Sequence, residues 1–417
     1  MNLRYLLVLA LAGTGGIVPA WADAAEPLRL QTAVDRALAS HPSLRAESAQ
    51  LRAAQARAER EALPPPYVFG GDLENFAGSG SLNGVESAET TLRIGRVIEL
   101  GGKRDARRAL GSAEIDLQEG VAAAARIDVA SRTATRFIEV LADQERLRFA
   151  RERVEQAEAT RRVVANWVAA ARNPESDLRA AEIAVAEAEL ELEHAGHELA
   201  AARTTLAASW GAMAPDFEEV TGDFQALPDV ADLDTLVARL PQTIEQRTAV
   251  LLGRTLEARR RVAESSAKPD VNVSLGVRRL EALGDQGLVM SFSVPLGSRP
   301  RASLAIAEVD AQLDAVQARI EAQRYETHQA LFEKYQELSH AGIEAAALRG
   351  RLIPKAEQAL AFTRRGFEAG RYSYLSLAQA QTTLFELRGR SVEAAARYHS
   401  LLVEVERLTA VAMDTSP

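Results

Sequence analysis

Hydrophobic positions along this chain change period in the same order twice. Val271, Val273, Leu275 and Val277 alternate with Asn272, Ser274, Gly276 and Arg278; after a polar turn, Leu288, Met290, Phe292, Val294 and Leu296 alternate with Val289, Ser291, Ser293 and Pro295. Period two gives one apolar face and one mostly polar face. Tyr67, Phe69 and Leu73 against Asp72 and Glu74, then Leu92, Ile94 and Ile98 against Arg93 and Gly95, repeat the pattern earlier in the chain. The spacing predicts β-hairpins over 67–98 and 271–296. Strands of about ten residues fit either a tilted membrane barrel or a small sheet with one wet face.

Helical stretches fill the rest. In the first half a helix is predicted over 30–63, with Gln31 and Thr32 as caps and Pro64-Pro65-Pro66 as its stop. After the hairpin, whose Gly-, Ser- and Asn-rich loop spans 77–86, a helix over 103–172 runs without proline, about 100 Å at 1.5 Å per residue. Asn173-Pro174 breaks it, and a return helix over 175–210 follows. The second half repeats the plan: helix over 233–267, hairpin, helix over 301–369, a break at Gly370, and a return helix over 373–411. Leu100-Gly101-Gly102-Lys103 and Leu296-Gly297-Ser298-Arg299 are 196 residues apart, while Pro42 and Pro241, like Ala181 and Ala380, are 199 apart. The chain is thus an internal duplication, with repeats over 23–222 and 223–417. Ala-rich stretches such as 122–125 and 180–188 suit close approach of helices on more than one side. The fold class expected is mainly α, with long antiparallel helical hairpins and four strands per chain. Four strands cannot close a barrel, which needs about eight; two copies would supply eight and three would supply twelve, the larger ring leaving a channel.

The first 22 residues carry Arg4, an apolar run and the end Ala20-Trp21-Ala22, the layout of an export signal cleaved after Ala22 or, second choice, Ala24. The absence of cysteine excludes disulfides, thiolate metal sites and an N-terminal lipid on cysteine. A net charge of −9 and the lack of a basic stripe argue against a nucleic-acid partner. No cofactor motif and no catalytic constellation appears; Gly101-Gly102-Lys103 lacks the phosphate-loop pattern. Gly101, Gly102 and Gly297 read instead as bends where strand becomes helix.

The runs Leu73-Glu74-Asn75-Phe76, Ile98-Glu99-Leu100-Gly101-Gly102-Lys103-Arg104, Val294-Pro295-Leu296, Gly366-Phe367-Glu368-Ala369-Gly370-Arg371-Tyr372-Ser373, Ala380 through Glu386, and Tyr398-His399 stand in this order along the chain. Together they resemble the TolC family of outer-membrane channel proteins, in particular the CzcC-type components of heavy-metal efflux systems. The resemblance covers essentially the whole mature chain. It implies a homotrimer with a 12-stranded barrel in the outer membrane, a periplasmic α-helical tunnel, a periplasmic adaptor at the helical tips, an inner-membrane transporter of the resistance-nodulation-division type, and no chemistry in the channel itself. It also implies a carboxylate ring at the entrance, but Ser376 and Gln379 stand at the aligned positions. Asp177 and Glu175 are the acidic candidates instead, or they only complement a helix N-terminus. Trp167, Gly370, Arg371, Tyr372 and Tyr374 are candidate adaptor contacts, or the aromatics pack inside the tip. Lys103 and Arg104 are expected at the inner barrel rim, facing lipid head groups. His194 and His197, with Glu191 and Glu198, form either a metal-ligating face or an ordinary solvated one.

Overall fold

A computed structural model describes residues 27–411; the export segment 1–22 and its cleavage positions lie outside the described residues. The described residues form two compact units, each discontinuous in sequence: one of 27–46, 123–244 and 324–411, the other of 47–122 and 245–323. Both repeats contribute to both units.

The second unit holds a four-stranded sheet of β2 (Tyr67–Glu74), β3 (Glu89–Ile98), β5 (Val271–Leu280) and β6 (Asp285–Ser293), antiparallel throughout and ordered β2-β3-β5-β6. The first hairpin's strand therefore pairs with the second hairpin's, Ile94 opposite Leu275, and among the described residues no strand pairs with the outer edges of β2 and β6. Around the strand-to-helix turns the backbone is left-handed at Gly101 (φ 86°), Gly102 (φ 71°) and Gly297 (φ 88°), a region other residues avoid. A Cβ on Gly101 would stand 2.9 Å from Lys268 Cδ and 3.1 Å from the Ser265 carbonyl, so that turn is closed on two grounds. Helices α2 (Pro42–Glu61) and α6 (Ile244–Ser265) lie here with the first parts of α3 (Lys103–Ala169) and α7 (Ser298–Ala347). Their packing is close: a Cβ on Gly111 would lie 2.7 Å from the Cβ of Ala58, and one on Gly120 would lie 3.0 Å from Leu251.

The first unit is helical apart from a two-stranded parallel sheet, β1 (Leu28–Arg29) with β4 (Val220–Thr221). It contains α1 (Leu30–Ser40), the rest of α3 and α7, α4 (Glu175–Ala207), a short α5 (Leu233–Val237), α8 (Ile353–Glu368) and α9 (Tyr374–Leu408). Its main core joins Ala33 and Val34 of α1, Ala134, Phe137 and Ile138 of α3, Leu199 and Leu206 of α4, and Val392 and Ala395 of α9 to Phe217, Val220 and Phe224 of the segment between the repeats.

Three predicted helices are interrupted, each at a proline. The helix expected over 30–63 divides at His41, extended at ψ 128°, because a residue before proline is pushed out of the helical region. Pro42 opens α2 at the position where a missing N–H is harmless, and His41 Nδ1 accepts the Ser43 N–H at 3.1 Å. The helix expected over 233–267 divides into α5, a 3₁₀ turn over Leu240–Gln242, and α6, at Pro241, the equivalent of Pro42. The helix expected over 301–369 widens into a π turn over Leu348–Leu352 just before Pro354, which cannot donate to the carbonyl four residues back.

Candidate channel wall and helical tips

The sheet register sorts side chains into two faces. Tyr67, Arg96, Val273 and Phe292 form one cross-strand row, Phe69, Ile94, Leu275 and Met290 the next, and Gly71, Leu92, Val277 and Leu288 a third. All lie on one face. The middle row is exposed across its width, at 73%, 53%, 55% and 70%, although such side chains ordinarily leave water. The opposite face carries Asp72, Glu74, Glu89, Arg93, Ser274, Arg278 and Ser291. Here Arg93 pairs with Asp72 at 3.1 Å, Arg278 reaches Glu89 at 3.0 Å and Glu74 at 3.3 Å, and the Ser274 and Ser291 hydroxyls meet at 2.7 Å. Gly95 and Gly276 point to this polar face; a Cβ on Gly276 would stand 2.5 Å from the Leu92 carbonyl, so glycine permits the close approach of β3 and β5.

At the strand-to-helix turns Lys103 is not presented to head groups, as the sequence led us to expect. Its Nζ pairs with Asp270 at 2.6 Å in a mostly buried position, and the same carboxylate accepts the Leu100 N–H. Arg104 donates to the Ala62 carbonyl at 2.7 Å, and Arg107 forks onto Glu99 and is held above its ordinary pKa first by that hydrogen bond. These cations tie the turns to neighbouring helices.

Both helical tips end in one capping motif. Arg172 N–H donates to the Trp167 carbonyl and Ala171 N–H to that of Val168; 199 residues on, Arg371 N–H donates to Gly366 and Gly370 N–H to Phe367. The left-handed residue is Gly370 (φ 68°) in the second tip but Ala171 (φ 55°) in the first. Trp167 stacks on Phe367 with ring centroids 4.6 Å apart. Together with Val164, Ala181, Leu360, Tyr374, Leu377 and Leu384 these rings bring α3, α4, α8 and α9 into one cluster. Tyr374 is 5% exposed and belongs inside the tip, whereas Tyr372 is 54% exposed and lies over Gly366, where a Cβ would meet its ring at 2.1 Å. Burial raises the Tyr374 pKa, and the Asp177 and Glu187 carboxylates add to it.

Glu175 and Asp177 occupy the first turn of α4. Glu175 is exposed and pairs with Arg179 at 2.8 Å; Asp177 is half-buried and accepts from Asn173 Nδ2 at 2.8 Å. Ser376 and Gln379 are exposed on α9, where Ser373 caps the helix by accepting the Ser376 N–H. Arg371 is exposed. On α4, His194 pairs with Glu198 at 3.2 Å and His197 with Glu193 at 3.7 Å, both exposed, while Glu191 pairs with Arg153; among the described residues no group of three or more acidic or histidine side chains is disposed to hold a metal ion.

Sequence reasoning overlooked the strapping of the segment between the repeats. Three carbonyls of that segment are captured: Phe224 by buried His399 Nε2 at 3.1 Å, Gln225 by Arg349, and Pro228 by the Tyr398 hydroxyl. Gln144 meets both backbone groups of Val220. His399 also stacks on Phe224, and its pKa is lowered, first by burial. Pro354 was the available signal for the π turn that carries Arg349.

Residues 33–212 match the family described as outer membrane efflux protein. The cobalt-zinc-cadmium resistance protein CzcC of Cupriavidus metallidurans is 29% identical over 390 residues, 93% of this chain and 91% of that protein. Among solved structures, a membrane protein from Pseudomonas aeruginosa superposes with a TM-score of 0.75 at 17% identity, covering 98% of each chain. VceC from Vibrio cholerae gives 0.75 at 17% identity, covering 92% of this chain and 96% of its own. CusC gives 0.76 at 15% identity, covering 96% of each. These likenesses establish the fold.

Proposed function

We propose that the chain, whose residues 33–212 match the outer membrane efflux protein family, works in the outer membrane as the exit duct of a tripartite efflux pump that expels heavy-metal cations. The observation that carries this reading is the one-sided sheet: apart from Arg96 and Gly71, three successive rows carry apolar side chains on one face, while ion pairs and hydroxyls line the other. Such a sheet suits lipid on one side and an aqueous lumen on the other. Among the described residues no helix is long and apolar enough to cross a membrane. The strands, by their length and one-sided faces, are the spanning elements.

The open edges of β2 and β6 require partners, since unpaired backbone groups are costly in hydrocarbon. Three copies joined β6 to β2 close a 12-stranded barrel wide enough for a channel. The tips, with exposed Tyr372 and Leu375, receive a periplasmic adaptor, and an inner-membrane transporter of the resistance-nodulation-division type supplies the energy. The duct performs no chemistry. Its cargo is inferred from the CzcC likeness, and at the first tip Asp177 offers negative charge toward a cation, while Glu175 is held by Arg179.

The test is deletion of the gene in its own host, followed by complementation with the full chain. Tolerance to cobalt, zinc or cadmium should fall and return, and the purified protein should form a heat-dissociable trimer that conducts ions in a planar bilayer. Unchanged metal tolerance with lost tolerance to organic toxicants would reassign the cargo. A soluble, non-conducting protein would refute the duct.

A further inference from the structure

Two cations stand on the apolar face of the sheet, Arg96 and Arg279. Arg279 is neutralised by Glu281 at 2.8 Å. Arg96 is not: among the described residues no carboxylate lies within ion-pair distance of it, its Nε is buried without a hydrogen-bond partner, and its only described polar contact is donation from Nη1 to the Tyr67 hydroxyl at 3.1 Å. Its guanidinium lies over the Tyr67 ring, 4.9 Å from the centroid. The register puts Arg96 in the row of Tyr67, Val273 and Phe292, at the helix-side end of the apolar band; only the Ile98–Val271 pair lies between it and the turns.

An arginine facing hydrocarbon is costly at mid-depth and tolerated near an interface, and aromatic side chains gather at that interface. A fixed, uncompensated guanidinium beside Tyr67 and Phe292 therefore calls for an anion supplied by the membrane. We infer that Arg96 and Tyr67 form a binding site for the phosphate of an anionic glycerophospholipid in the leaflet nearest the helices, with Phe292 bordering its acyl chains. Planar, bidentate recognition of phosphate is what a guanidinium does well, and stacking on Tyr67 fixes its plane in advance. Because Lys103 and Arg104 are engaged with Asp270 and the Ala62 carbonyl, Arg96 takes the role that the sequence assigned to them. The inference rests on the barrel reading, with this face outward.

The experiment is native mass spectrometry of the full-length trimer with added phosphatidylglycerol, phosphatidylcholine or lipid A, alongside a heat-dissociation gel after reconstitution. Retention of phosphatidylglycerol over phosphatidylcholine is expected, saturating at three per trimer. Arg96→Gln should weaken it by about tenfold, the worth of one charge-assisted contact, whereas Arg96→Lys should retain part of it and Arg279→Gln all of it. Equal retention of both phospholipids by the unaltered protein, preference for lipid A, or full retention by Arg96→Gln overturns the site while the trimer stands. Failure to form an inserted trimer at all overturns the barrel reading and the site with it.

Discussion

The two tips offer equivalent positions at which glycine and alanine should have opposite effects. Ala171 and Gly370 take the same left-handed turn, at φ 55° and φ 68°, with matching hydrogen bonds on either side. A left-handed L-residue is disfavoured by about 1–2 kcal/mol, and glycine loses about 0.4–1 kcal/mol through the greater freedom of the unfolded chain. Ala171→Gly should therefore stabilise the first tip by about 0.5–1 kcal/mol, and Gly370→Ala should destabilise the second by a similar amount. Ala171 is exposed and a Cβ on Gly370 would meet nothing within 4 Å, so neither change introduces a packing effect. Hydrogen exchange reads the result locally. The Arg172 amide, closing the first cap at 2.7 Å, should exchange about two- to fivefold more slowly in Ala171→Gly, and the Arg371 amide, at 2.8 Å, correspondingly faster in Gly370→Ala. Unchanged or faster exchange at Arg172 in Ala171→Gly would refute the claim that alanine holds a strained turn there.

Other tests address the sheet, its root and the strap. Gly276→Ala drives a Cβ into the Leu92 carbonyl; pairing of β3 with β5 should weaken by about 1–3 kcal/mol, read as a lower dissociation temperature of the trimer. Asp270→Ala leaves the Leu100 N–H and Lys103 without their shared acceptor and should cost about 1–3 kcal/mol, more than Lys103→Met, which spares the Leu100 bond; denaturant midpoints rank the two. His399 has a folded pKa below its ordinary 6.5, so below that value the unfolded segment binds more protons than the folded one and stability falls as pH drops. Proteolysis within 222–232 should accelerate as pH falls below about 6.5, and His399→Gln should flatten that dependence.

The strands were legible because period two survives in residue identity: Val271 to Arg278 alternates as written, and the register then places Val271, Val273, Leu275 and Val277 on one face. The duplication was legible through punctuation, and Pro42 and Pro241 were visible as equivalents. Their effect as helix breaks was missed because periodicity on both sides continued through them. Arg349, Tyr398 and His399 were illegible as a unit, since they grip carbonyls of a segment more than 120 residues away in sequence, and a carbonyl acceptor has no residue signature. Lys103 was misread for a related reason: its partner Asp270 comes from the other repeat, and only pairing of β3 with β5 brings the two turns together.

The open edges of β2 and β6 have a genetic consequence. In the ring proposed above each copy completes both of its neighbours, so a chain with a faulty edge removes two sound partners from service whenever it is incorporated. A cell making normal and edge-defective copies together would lose more than the defective share of its ducts, because every position must be sound for the ring to close. An edge lesion such as a proline in β6 should accordingly behave as dominant, while a lesion confined to the strap around His399 should behave as recessive.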